Sequence, residues 1–452
     1  MRPVNPTIDF IHDLKLSDIP AGAIHQAQRC LLDLIGTAAG GTITPVSHII
    51  RNFAVRYMGG GQARLIFDGR RASPGGAALA GGTMIDSMDC HDGHVLVKGH
   101  VGVAVFPALL GLIDSEGEID SREFITSLVI GYEIATRAGI ALHSTACDYH
   151  SSGSWNALAC AALGARFLKL GTNQTCHALG IAEYNGPRSQ MMRCIDHPTM
   201  VKDGSGWGAM TGINAAYLAA DGFTGAPAIT VENAEVAEIW ADLGTRWRIN
   251  EQYFKAYPVC RWAQPAIEAA RSLQTAHQVA ADDIRHVEVF TFHEGTRLAT
   301  RCPETTEQAQ YSLPFPVAAM LTRQQIGAGE VTGDALRDPA ILRLSNSMIL
   351  TEDDAYNARF PAERWAHVAF TLNDGTHLIS EPAIARGNPE NPLSADEITE
   401  KFHLLANPIL GADRAQQIKT LVSQLMDKPE SLNKLRQLLF DPVTGEHHAE
   451  KN

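Results

Sequence analysis

The chain has 452 residues, too many for one hydrophobic core, since single cores stop growing near ~250 to 300 residues, so about two domains are expected. Hydrophobic residues at 45%, charged residues at 19%, 39 Gly and 22 Pro exclude a disordered or fibrous chain. Against 50 Asp+Glu there are 37 Lys+Arg, a formal charge of −13 that argues against nucleic acid and membrane surfaces as partners, while one cleft can still reverse the field locally and take a small anion.

In chain order, Met1 to Leu14 carries Asp9, His12 and Asp13 and lacks the basic-then-apolar plan of a signal peptide. Ile24, Ala27, Leu31, Leu34 and Ile35 recur at helical spacing, and the pattern predicts an amphipathic helix that stops at Gly36. Ala- and Leu-rich segments continue through Gly76 to Ile113, Ser121 to Leu142, Trp155 to Leu170 and Gly204 to Ala220, all predicted helical. The longest nearly apolar run, Val101 to Ile113, is short of the ~20 residues that span a bilayer, and a soluble protein is expected.

The grain then changes. His286 to His293 is β-branched and aromatic, and Ala366 to Leu372 leads through Asn373, Asp374 and Gly375 into Thr376 to Ser380, a hairpin with an Asp-Gly turn. Pro316 to Leu321 and Ile341 to Leu350 read as helices between them, which makes this stretch α+β. After the Pro-rich break at Gly387 to Pro392, Ser394 with Glu397 opens a capped helix, and the C-terminal segment is helical up to a polar tail at His447 to Asn452. The eight Cys contain no C-x-x-C pair and read as reduced thiols of a cytosol-like, cytoplasmic compartment.

The densest chemistry lies at Asp86 to Gly102, where Asp89, His91, Asp92, His94, Lys98 and His100 crowd the start of an apolar helix. A solvated loop is the bland alternative, and Asp89, His91, Asp92, His94 and His100 could also ligate zinc or iron, although neither H-E-x-x-H nor C-x-x-C occurs. Tyr149 and His150 precede a helix start, whose positive end favours a neutral, basic imidazole; an N-cap loop with an ordinary histidine is the alternative. Lys202 stands before the glycine-rich start Gly204, Gly206 and Gly208, where ammonium and backbone N–H groups together hold a carboxylate or phosphate. Lys255, Tyr257 and Arg261 add cations and a phenol where helices give way to strands. For these lysines a solvated face is the competing reading. No G-x-S-x-G elbow is present, so covalent catalysis is not expected.

These segments together resemble the MmgE/PrpD family, which includes dehydratases, decarboxylases and an epimerase of small polycarboxylic acids. Ser87 to Asp89 through His100 and Pro107 to Leu110, then Tyr149 and His150, Lys202 with Gly222 to Gly225, Lys255 to Cys260, Ala309 to Phe315, and Gly387 to Pro392 with Lys401 and Phe402 follow the family's motifs in order over nearly the whole chain. The resemblance implies a mainly α fold with an α+β part: an all-helical domain from residues 1–265 and 394–452, and a smaller α+β lid domain at 266–393. It further implies a homodimer and an active site in the cleft with no metal and no cofactor. By the same resemblance Asp89, His100, His150 and Lys202 are catalytic, and Lys255, Tyr149, Arg261 and His91 bind substrate.

The chain departs from the family pattern at Cys90, His91 and Gly93, where an aromatic residue, an acid and a hydroxyl residue are usual, and at Val101 and Asp203, where proline is usual. A tyrosine that some members carry near the lid helix is Phe315 here. The expected activity is a lyase that removes a proton next to a carboxylate of a small di- or tricarboxylic acid and expels water. His150 would serve as base or relay and His100 as acid oriented by Asp89, or the two roles reversed, with Lys202, Lys255 and Arg261 as carboxylate holders. Epimerisation, decarboxylation and binding without catalysis are the alternatives.

Overall fold

The computed structural model describes residues 6–443, so the polar tail and both extreme ends of the chain lie outside it. The Ala- and Leu-rich segments wind into helices Ala21–Gly41, Pro74–Asp86, Gly102–Glu116, Ser121–Thr145, Gly153–Phe167 and Ser205–Ala220, among others. Their starts follow capping chemistry: the Ser73 hydroxyl accepts the Gly76 N–H with Pro74 at the first helical position, and the Asp120 carboxylate accepts the Glu123 N–H. Gly102 to Ile113 and Gly153 to Ala165 are buried on every side, and these two helices form the centre of the helical body.

Ser121–Thr145 is long and apolar enough to cross a membrane by length and composition, yet its most apolar stretch is 94% buried inside the protein. Glu133 and Arg137, fully buried on this helix, lie 3.4 Å apart, and the Ile249 N–H donates to Glu133 at 3.0 Å. It is a core helix with an internal ion pair.

The helix expected to stop at Gly36 runs on to Gly41. Gly36 is needed for another reason: a Cβ there would lie 3.0 Å from Phe402 Cδ2 and 3.2 Å from its Cα. Helix Ala395–Leu410, opened by the Ser394 and Glu397 capping box, thereby packs directly on Ala21–Gly41, and Lys401 Nζ reaches Asp33 at 2.5 Å in the interior. One hydrophobic core accordingly joins residues from Ile8 to Phe254 with residues from Leu393 to Phe440.

A second core gathers residues from Tyr257 to Phe370 around a small mixed sheet, and takes Met88, Cys90, Met191, Cys194, Ile195 and Leu405 from the helical body. The sheet order is Ile349–Glu352, Ile284–Thr291, Trp365–Leu372, His377–Ile379, with Ala383–Ile384 also on Trp365–Leu372. Val287 faces Phe370 and Val289 faces Val368 across the antiparallel pair, which places alternate side chains in the core. The Asp-Gly hairpin forms, with Gly375 at φ +89°. Ile349 and Leu350, read as the end of a helix, instead begin a short, half-exposed edge strand parallel to Ile284–Thr291. His293 opens a short helix, so the preceding strand ends at Thr291.

Candidate active site

The loop after Pro74–Asp86 lies where the two cores meet. Asp89 is in the left-handed region, φ +47°, which turns its carboxylate inward. Lys255 Nζ donates to Asp89 Oδ1 at 2.5 Å and to the Asp89 carbonyl at 2.9 Å. Burial by itself would raise the Asp89 pKa, but the ammonium groups of Lys255 and Lys202, with His100, outweigh it and hold the carboxyl below its ordinary value. Burial likewise pulls Lys255 down, and the Asp89 carboxylate more than reverses it. The pair is charged, and Asp89 Oδ2 is left buried without a hydrogen-bond partner.

His100 is oriented by backbone, not by Asp89. Its Nδ1 lies 2.6 Å from the Asp92 carbonyl, which can only accept, so Nδ1 carries the proton and Nε2 carries the lone pair. Asp89 Oδ1 is 3.8 Å from that Nε2, beyond hydrogen-bond distance. Burial and then the Lys255 ammonium depress the His100 pKa to about 3, so the imidazole is neutral near pH 7. In this tautomer and charge state the Nε2 of His100 can accept a proton and has none to give.

Remote segments are tied to this loop through Ser152. The His100 N–H donates to Ser152 Oγ at 2.9 Å, the Ser152 N–H donates to Asp203 Oδ1 at 2.9 Å, and the Ser152 hydroxyl donates to Asp203 Oδ2. Trp155 Nε1 adds a bond to the His100 carbonyl at 2.9 Å. Burial raises Asp203 to about 6. Beside it Lys202, with φ +47°, donates to Gln310 Oε1 at 2.5 Å and lies 4.9 Å from the centre of the Tyr311 ring.

Asp89, His100, Tyr149, Lys255 and Arg261 line one cleft with Lys98, Asp203, Tyr253, Tyr311 and Arg364. As it stands the cleft has a volume of about 40 Å³, room for a few waters, so a larger guest enters only if its walls part. Lys202 reaches Tyr311 from the adjoining hollow that Met191 shares with the cleft.

Three expected residues are used differently. His150 does not line the cleft: its N–H donates to His143 Nε2 at 3.1 Å, and both of its ring nitrogens are buried without a partner. His91 is fully buried behind His100, ring centres 4.2 Å apart, and burial drives its pKa well below the ordinary value. Arg261 borders the cleft but spends its donors on the Arg386 carbonyl at 2.8 Å, Asn388 Oδ1 at 2.6 Å and Gln264 Oε1 at 3.1 Å, and its guanidinium lies 4.6 Å from the Tyr253 ring centre. It anchors the segment 385–388 more than it offers itself to a guest.

Other participants were not singled out from sequence. Phe315 is fully buried, whereas Tyr311, four positions earlier in the same motif, faces the cleft. Gly93 is explained by Tyr253: a Cβ at Gly93 would sit 2.5 Å from the phenol Cζ and Oη, so the absent side chain makes room for a cleft tyrosine. The acid and histidine side chains of the loop diverge, with His94 turned to Glu251 at 3.1 Å and Asp92 taking the Tyr132 hydroxyl. Among the described residues no three His, Cys, Asp or Glu side chains are grouped to hold a metal ion.

Comparison with known proteins matches residues 7–241 to the MmgE/PrpD N-terminal domain and residues 257–427 to the MmgE/PrpD C-terminal domain. A cis-aconitate decarboxylase-like protein, oryM, of Aspergillus oryzae is 25% identical over 464 residues, covering 92% of this chain and 93% of that protein. The cis-aconitate decarboxylases of Mus musculus and Homo sapiens are each 24% identical, covering 96% of this chain and 92% and 94% of theirs.

Proposed function

The chain belongs to the MmgE/PrpD family, and from that premise we propose that it is an acid–base lyase acting on a small polycarboxylic acid. The observation that carries the reading is the neutral His100, its Nε2 lone pair facing a cleft that also holds the charged Asp89 and Lys255 pair. The bare Nε2 takes the proton from carbon next to a carboxylate, and the electron pair left behind forms the new double bond as the neighbouring C–O bond breaks. A cleft phenol, Tyr311 or Tyr253, gives the departing hydroxyl its proton and recovers one from the imidazolium through solvent or substrate. Lys202 and Lys255 stabilise the negative charge that grows on the activated carboxylate in the transition state. No step calls on a metal or a cofactor.

Decarboxylation is the second reading, favoured by the names of the relatives. In that case a C–C bond breaks with loss of carbon dioxide, the electron pair stays on carbon, and a proton reaches that carbon from the cleft phenol, Tyr311 or Tyr253, which recovers one from solvent. Both readings share a proton crossing between carbon and a side chain. Proton NMR in D₂O with cis-aconitate, citrate isomers, 2-methylcitrate and iminodisuccinate therefore tests them together. The expected result is deuterium at carbon in at least one acid or its product, lost in His100→Ala. A protein that shifts its melting temperature with these acids but exchanges none would be a binder, and the enzymatic reading would fall.

A further inference from the structure

The cations in and beside the cleft divide into two sets. Lys255 is paired with Asp89, Lys202 donates to Gln310, and Arg261 is bound to the Arg386 carbonyl and Asn388. Lys98 and Arg364 also line the cleft, yet among the described residues neither side chain has a hydrogen bond or an acidic counter-ion. Arg364 Nε is buried with no hydrogen-bond partner, and the guanidinium lies over the Phe360 ring at 5.9 Å from its centre.

Both are set on firm backbone. Lys98 has φ +54°, uncommon for a residue with a Cβ, in a turn closed by the His94 N–H on the Gly99 carbonyl at 2.9 Å. Arg364 immediately precedes strand Trp365–Leu372, whose first residue is paired with Ile384. One cation thus comes from the helical body and one from the sheet body, in a protein whose formal charge is −13. Both cations border the same narrow cleft without a salt bridge, and a guanidinium fork and an ammonium each match a carboxylate.

We infer that Lys98 and Arg364 form a second carboxylate subsite, which holds the carboxylate of the substrate remote from the reacting carbon and selects acids with at least two carboxylates. This deepens the proposed function and rests on it. Calorimetric titration with glutarate and with glutaramate, its analogue with one carboxylate replaced by a neutral amide, tests it on the full chain. Wild type should prefer glutarate by about tenfold or more, as a lost charge-assisted contact implies. Arg364→Gln and Lys98→Gln should each shrink that preference toward unity, and Arg364→Lys should restore part of it; melting curves establish that the variants are folded. Wild type that discriminates while both Gln variants keep the full preference would overturn the subsite alone. Wild type that binds both acids equally would also overturn the subsite. Wild type that binds neither would overturn the polycarboxylate reading and the subsite with it.

Discussion

The imidazole Nδ1 of His100 is held by the carbonyl oxygen of Asp92, eight residues earlier in the same loop, at 2.6 Å. A carbonyl cannot donate, so this one contact selects the tautomer and leaves Nε2 as the basic atom. If that atom accepts the substrate proton, His100→Ala should lower kcat by about 10²-fold or more. His150→Ala should cost less than about tenfold, below the general acid–base range. Steady-state kinetics of the two variants on one identified acid decides between the histidines; the reverse ranking would return the base to His150.

The pH dependence follows from the same burial. The His100 pKa is depressed to about 3 from an ordinary 6.5, so the base stays unprotonated as pH falls through 6.5 and is lost only near the folded value. The acid limb of kcat/KM should therefore lie well below pH 6.5. The stability gained by burying a neutral imidazole has the same sign: fully present above 6.5, it declines as pH falls toward 3. An acid limb at 6 to 7 in the kcat/KM profile would show that the working base is another group.

Asp89 and Lys255 are worth more together than apart. Lys255→Met should destabilise the protein by about 3 to 5 kcal/mol, because it strands a buried carboxylate, while Lys255→Met with Asp89→Asn should cost clearly less than the sum of the single changes. Urea denaturation of the four proteins of the cycle measures this coupling. Additive losses would mean that the two groups are solvated separately in solution.

Gly93 and Tyr253 should also be coupled, this time by crowding. A Cβ at Gly93 overlaps the phenol at 2.5 Å and approaches the Gly99 carbonyl at 2.9 Å, so Gly93→Ala should cost about 1 to 3 kcal/mol. In a Tyr253→Ala background the penalty should be smaller, since only the backbone contact remains. Thermal denaturation of the single and double variants reads the difference, and an equal penalty in both backgrounds would place Tyr253 elsewhere.

Much of this was legible along the chain. Helical periodicity, the change of grain after the helical segments, the Asp-Gly hairpin and the Ser394 capping box are set by neighbours within a few residues, and composition and spacing report such neighbours directly. The concentration of acid and imidazole at Asp86 to Gly102 likewise stood out along the chain, and Asp89, His100, Lys202 and Lys255 converge around one cleft and its adjoining hollow.

Ile349 as a strand residue, Gly36 as a packing surface for Phe402 and the occupied donors of Arg261 depend on partners far away in sequence. By itself the sequence determined which chemical groups the protein owns and which local elements carry them. Only the tertiary structure decided that His100 is neutral with its Nε2 bare, that His91 and His150 stand apart and that Lys98 and Arg364 are left without salt-bridge partners. Protonation state, tautomer and availability are properties of surroundings, and those surroundings come from segments brought together only by folding.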